Sequence, residues 1–186
     1  MTDDITSLLI RNANIPRRYR EPVPFDPRKH AGWTAAFDRA LHILKSSVSG
    51  NLVIVCGARG TGKTLLSTEL IYCLIRNDRF LCRYDNLLDY LNRIRDRDSL
   101  QDHDETYLTP RLLVLDEIAK GGDSAWAESR LFHLVNSRYN DLKHTLLITS
   151  AGPDQLNDIL SPSVADRVHE GGAVIHLDWP SFRSNP

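Results

Sequence analysis

Residues Cys56-Gly57-Ala58-Arg59-Gly60-Thr61-Gly62-Lys63-Thr64 carry the spacing G-x-x-x-x-G-K-T. Glycines reach backbone angles closed to other residues, so successive N–H groups can turn inward around an anion. A helix starting near Lys63 adds unpaired N–H groups and the positive end of its dipole. Gly57, Ala58, Arg59, Gly60, Thr61, Gly62, Lys63 and Thr64 are therefore the expected phosphate cradle. Within it, Lys63 reaches the β- and γ-phosphates and the Thr64 hydroxyl ligates Mg²⁺. A second acidic signal lies downstream, where the apolar run Leu112-Leu113-Val114-Leu115 ends in Asp116-Glu117. Asp116 is placed to hold Mg²⁺ beside Thr64, and Glu117 to polarise a water for in-line attack on the γ-phosphate. The expected chemistry is ATP binding and slow hydrolysis, with ATP and Mg²⁺ as cofactors.

These residues need a scaffold, and the hydrophobic pattern supplies one. Apolar runs at Leu52–Val55, Phe80–Tyr84, Arg111–Leu115, Thr145–Ser150 and Ala173–Leu177 read as strands. Helical patterns separate them: Leu65–Leu70 onward, Leu87 to Ile94, and Ser124 to Leu142, with short helices opened by Pro153 and Pro162. Strands alternating with helices, each strand a continuous apolar run, imply a parallel sheet covered on both faces. The expected fold is α/β and three-layered, with a five-stranded parallel sheet. Upstream, Trp33, Ala36, Phe37, Ala40, Leu41 and Leu44 mark another helix. Residues Ile15 to Pro27, with several prolines and arginines, read as an extended linker. A short first helix places Ile5, Leu8 and Leu9 on one side. Two roles stand open for it, packing on its own domain or serving as a handle for a partner.

The chain has 186 residues, 41% hydrophobic and 25% charged, with a formal net charge of −1. That is one ordinary globular domain with material for a real core and no global basic field for nucleic acid. No apolar run approaches a membrane span, and Met1-Thr2-Asp3-Asp4 is acidic where a signal peptide would be basic. A cytoplasmic protein without membrane contact is expected. Cys56, Cys73 and Cys82 lack metal-ligand spacing and read as small core residues in a reducing compartment. Arg93, Arg95 and Arg97, interleaved with Asp96 and Asp98, read as a solvated face.

Several pieces together resemble one family. Gly57–Thr64, Leu113-Val114-Leu115-Asp116-Glu117-Ile118, Leu147-Ile148-Thr149-Ser150, Val164-Ala165-Asp166-Arg167-Val168 and Trp179-Pro180-Ser181-Phe182-Arg183 resemble the AAA+ ATPases of the DnaC/IstB type. That group contains bacterial and phage replicative-helicase loaders and transposition ATPases. The resemblance implies an AAA+ core of the P-loop NTPase fold over 31–186, with little or no C-terminal lid domain. Residues 1–30 are then an N-terminal helix and linker, a candidate docking segment. It further implies that Arg167 is an arginine finger reaching the γ-phosphate of the adjacent subunit, the alternative being a surface ion pair with Asp166 or Glu170. Arg183 matches a second sensor arginine. Thr149 or Ser150 stands at the first sensor, where the usual amide is replaced by Ala151. Ser124 and Trp126 match a contact to single-stranded DNA, and an exposed indole is a stacking platform for any base; the other reading packs Trp126 in the core.

The function implied is an ATP-switched loader of a hexameric, DnaB-like replicative helicase. It would assemble on single-stranded DNA into a ring or spiral, in a bacterial cytoplasm or encoded by a phage or mobile element. The alternative is an IstB-like transposition ATPase acting on target DNA with a transposase. A small-molecule phosphotransferase is disfavoured by the paired carboxylates and by the absence of an arginine-rich lid insertion.

Overall fold

The computed structural model describes residues 2–21, 26, 30–46, 50–95, 105–118 and 125–183. Helix α1 (Thr2–Asn12) leads to a single 3-10 turn, Arg17–Tyr19, and then α2 (Ala31–Ser46). Strands and helices then alternate: β1 (Leu52–Cys56), α3 (Lys63–Asp78), β2 (Cys82–Asn86), α4 (Leu87–Ile94), α5 (Glu105–Leu108) and β3 (Leu112–Asp116). The chain continues through α6 (Ala125–Asn140), β4 (His144–Ile148), α7 (Leu156–Ile159), α8 (Pro162–Gly171) and β5 (Ala173–His176).

The five strands form one parallel sheet in the order β2-β3-β4-β1-β5. Every residue of the three inner strands is buried, whereas β2 and β5 each show partly exposed residues. A strand covered on both faces is apolar along most of its length, which is why Leu52–Cys56, Leu112–Leu115 and Leu146–Ile148 are unbroken runs, with polar residues kept to strand ends at His144, Thr145 and Asp116. Successive side chains point to opposite faces. Val53, Val55, Val114 and Leu146 join one core with Leu66, Leu70 and Leu74 of α3 and with Trp33, Ala40 and Leu44 of α2. Ile54, Leu113, Leu115 and Leu147 join the other with Leu131, Leu134 and Val135 of α6 and Val164 and Val168 of α8. The connection leaving β1 runs along the first face and the one leaving β4 along the second. Adjacent strands that depart to opposite faces open a crevice at their carboxyl ends.

Two expectations shift. Strand β2 starts at Cys82 and runs to Asn86, two residues later than Phe80–Tyr84. The stretch after Ile15 is not wholly extended: Arg17–Tyr19 turns, and Ile15 is buried in the first core with Ala13. Helix α1 packs on α3 and β2; Leu9 and Ile10 lie against the core while Ile5 and Leu8 are exposed. The segment after α1 also covers the free edge of β2. Tyr84 N–H donates to the Ala13 carbonyl at 2.8 Å, and Asn14 Nδ2 donates to the Tyr84 carbonyl at 3.0 Å. Unpaired edge groups are otherwise templates for foreign strands. Cys56 and Cys82 are buried, and all three cysteines are free. Among the described residues no helix is long and apolar enough to cross a membrane.

Candidate functional site

The phosphate loop sits at the mouth of the crevice, between β1 and α3. Gly57, Gly60 and Gly62 have φ of 129°, 86° and 91°. Gly60 shows why no side chain fits: a Cβ there would meet Ser181 Oγ at 1.9 Å. The loop carbonyls are tied outward, one after another. Phe182 N–H donates to the Gly60 carbonyl at 3.0 Å, Trp179 Nε1 to Thr61 at 3.1 Å and Trp33 Nε1 to Gly62 at 3.3 Å. Fixing the carbonyls on the outside orients the loop peptides, so their N–H groups are free for the inner side. Spacing alone had marked Trp33 only as part of an apolar helix face; an indole N–H that is buried seeks a partner, and that was the available signal.

Lys63 is nearly buried, and its Nζ donates to the Gly57 and Ala58 carbonyls, each at 2.6 Å. Burial holds its ammonium below the usual value; the Asp116 carboxylate and Cys56 oppose that, while the charges of Arg183 and Arg59 add to it. Three cations thus converge on one loop, and an anion placed among them relieves their mutual repulsion. Arg183 is itself exposed, its N–H held by Ser181 Oγ at 3.1 Å.

The carboxylates come to the same place. Thr64 Oγ1 donates to Asp116 Oδ2 at 2.8 Å, and Tyr84 donates its phenol to the same oxygen at 2.7 Å. Glu117 N–H donates to Asp116 Oδ1 at 2.7 Å. Burial, then the adjacent carboxylate, pushes the Tyr84 phenol well above its ordinary value, so it remains a donor. Glu117 is exposed at a φ of 61°, its carboxylate accepting from Asn86 Nδ2. Asn86 also caps α4 by accepting from Leu88 N–H at 2.8 Å. Tyr84 and Asn86 were not among the sequence candidates.

The remaining candidates lie around this centre or apart from it. Thr149, buried at the end of β4, donates its N–H to the Val55 carbonyl at 3.0 Å and accepts from Ala151 N–H at 3.2 Å; Ser150 is exposed. Arg167 is on α8, across the sheet from α3. It pairs with Glu170 at 2.7 Å, reaches Asn136 at 3.4 Å and lies 4.3 Å over the Tyr139 ring. Trp126, in the first turn of α6, is half-buried against the second core with Arg130 5.6 Å over its ring. Ser124 and Arg97 fall outside the described residues. Arg93 lies 5.8 Å over the Tyr107 ring, and Arg95 is exposed.

A hard divalent cation takes oxygen ligands, and Mg²⁺ is commonly held by one or two carboxylates with substrate phosphates rather than by a protein cage. Thr64 Oγ1 and Asp116 are that donor type, and among the described residues no cluster of three or more His, Cys, Asp or Glu offers a different metal site. The residues present fit a cation bound with a polyphosphate.

Comparison with known proteins agrees. The family model described as IstB-like ATP binding protein matches residues 36–182. Among solved structures, the DnaC helicase loader superposes with a TM-score of 0.67 at 18% identity, covering 89% of this chain and 98% of that one. DnaI gives 0.62 at 16% identity, covering 95% and 94%. The replication initiator DnaA bound to AMPPCP and single-stranded DNA gives 0.63 at 20% identity, covering 90% and 52%. No curated protein sequence matches the chain. With more than half its length inside the family model, and the phosphate loop and acidic strand end assembled as described, the chain belongs to the IstB-like ATP-binding proteins, AAA+ ATPases of the DnaC/IstB type.

Proposed function

We propose that this protein is an Mg²⁺-dependent ATPase that loads a hexameric, DnaB-like replicative helicase onto single-stranded DNA. The observation that carries the reading is the Thr64–Asp116–Glu117 constellation beside a phosphate loop, in a chain that covers nearly all of a DnaC helicase loader. ATP with Mg²⁺ supplies the phosphoanhydride whose cleavage drives the switch. Lys63, with Arg59 and Arg183, binds the phosphates; Thr64 and Asp116 hold the cation; Glu117, released from Asn86, takes the proton of the attacking water. Trp126 offers its indole to bases, and Arg167 of one subunit serves the nucleotide of the next. A cytoplasmic site of action follows from such partners.

The test is retention of a replicative helicase on the immobilised protein in ATP against ADP, with single-stranded DNA present. Retention in ATP and loss in ADP is the expected outcome, and Trp126→Ala should weaken the DNA contact while leaving ATP binding intact. A second reading is favoured by the match to the IstB-like ATP binding proteins, since the resemblance read from the sequence also takes in transposition ATPases. Under that reading the protein ignores the helicase and binds duplex DNA together with a transposase.

A further inference from the structure

We infer that Tyr84 is a positioning residue for the carboxylate of Asp116, and that the segment following α1 seats Tyr84 for that task. The inference rests on the reading of Thr64 and Asp116 as the cation site. An ionised carboxylate offers about four lone-pair positions. Three are occupied here, by the Thr64 and Tyr84 hydroxyls on Oδ2 and the Glu117 N–H on Oδ1. The two hydroxyls fill Oδ2, which leaves Asp116 turned so that only Oδ1 has a free position for the cation or a water bound to it. Thr64 and Glu117 belong to the phosphate loop and the acidic strand end. Tyr84 comes from a different strand, β2, and nothing in the general motif requires a hydroxyl there.

What holds Tyr84 is the N-terminal segment. Both of its backbone groups face the outer edge of β2, and both are taken: the N–H by Ala13 at 2.8 Å and the carbonyl by Asn14 at 3.0 Å. Ala13 is buried in the first core, and Asn14 has a φ of 57°. A continuous chain of contacts therefore runs from the end of α1, through Tyr84, to Asp116. The segment after α1 thus bears on Asp116 without touching it.

The experiment measures affinity for a fluorescent non-hydrolysable ATP analogue on the full chain, first in EDTA and then over a Mg²⁺ series. Y84F removes one hydroxyl and keeps the ring. Its affinity in EDTA should match the wild type, while its melting temperature should fall by only a few degrees for the lost buried hydrogen bond. Its Mg²⁺ midpoint should rise about tenfold, the scale of one hydrogen bond to a charged group. A Ca²⁺ series should move less, because the larger ion takes carboxylate oxygens directly and tolerates irregular geometry once Oδ2 is freed. N14G breaks the carbonyl contact at a backbone angle glycine accepts, and should raise the Mg²⁺ midpoint about two- to threefold. It touches neither the ring nor Asp116, so it tests the proposal even were Y84F unstable. A Mg²⁺ midpoint unchanged in Y84F overturns the role of Tyr84, and equal shifts for Mg²⁺ and Ca²⁺ overturn the lone-pair account. An unchanged midpoint in N14G overturns the seating by the segment after α1. A wild type whose affinity ignores Mg²⁺ takes down the cation-site reading as well, so the two failures are distinguishable.

Discussion

Asn86 does two jobs with one amide. Its oxygen caps α4 through Leu88 N–H, and its nitrogen holds the Glu117 carboxylate. A carboxylate engaged by a donor amide is drawn aside from the water it must reach. Substituting serine retains a capping oxygen on a shorter side chain that cannot reach Glu117. Asn86→Ser should therefore raise basal ATP turnover severalfold with nucleotide affinity unchanged, whereas Glu117→Gln should keep affinity and lower turnover by at least about a hundredfold. Phosphate release under saturating ATP, beside equilibrium nucleotide binding, reads both. If Glu117→Gln turns over at the wild-type rate, Glu117 is not the base.

At the scale of elements, the foot of the sheet is held by a buried polar knot. Arg138 of α6 is fully buried and donates to the Tyr107 carbonyl at 2.6 Å, the His144 carbonyl at 2.5 Å and Thr145 Oγ1 at 3.0 Å. His144, at the start of β4, accepts from Asn51 N–H at 3.2 Å with its ring stacked on Phe80. Burial, then the charges of Arg111 and Arg138, pushes its imidazole down from 6.5 to about 4. The unfolded chain binds that proton first as pH falls, so His144 costs stability progressively from about pH 6.5 down to about pH 4. The loss is about 3 kcal/mol at the lower end. Unfolding free energies from denaturant titrations between pH 7 and pH 4 should fall by that much more in the wild type than in His144→Asn; parallel curves would mean the histidine is not buried neutral. The same scale shows what was legible. The inner strands were readable because double coverage leaves long apolar runs, with polar residues only at the start of β4 and the end of β3. Strand β2 was placed early because Phe80 and Leu81 look like strand, yet Arg79 is in the left-handed region and Phe80 N–H returns to the Leu74 carbonyl, which closes α3. That slip put Asp85 and Asn86 beyond the expected strand and hid the reach of Tyr84 and Asn86 to the acids. The phosphate loop and acidic pair were visible from local spacing; their supports come from residues far away in the chain, which no local period encodes.

For the whole molecule, the decisive relation is that α3 and α8 cover opposite faces of the sheet. A contact joining the loop of one copy to Arg167 of another pairs unlike surfaces, and such contacts propagate into rings or spirals rather than closed two-fold dimers. Within one subunit Arg167 is already engaged with Glu170, Asn136 and Tyr139. Solvent-exposed pairing of this kind exchanges readily for a stronger anion. Arg167→Ala should bind ATP nearly normally, hydrolyse it poorly and fail to assemble on DNA. Mixed with Lys63→Ala, it should recover part of the activity, since one joint in the mixture carries an intact arginine opposite an intact loop. Co-assembly without any recovery would remove Arg167 from the neighbouring site.

The outward ties of the phosphate loop also make it optically self-reporting. Two of the three tryptophans, Trp33 and Trp179, donate their indole N–H groups to consecutive loop carbonyls. Indole emission follows the polarity and hydrogen bonding at that nitrogen, so any rearrangement of the loop around an anion is written into the intrinsic fluorescence. Trp126 supplies the third emission from the opposite core, and Trp126→Phe would leave a spectrum belonging to the loop alone. Emission of Trp126→Phe followed on mixing with ATP should therefore change as the loop fills, and an unchanged spectrum would mean that Trp33 and Trp179 keep their contacts throughout.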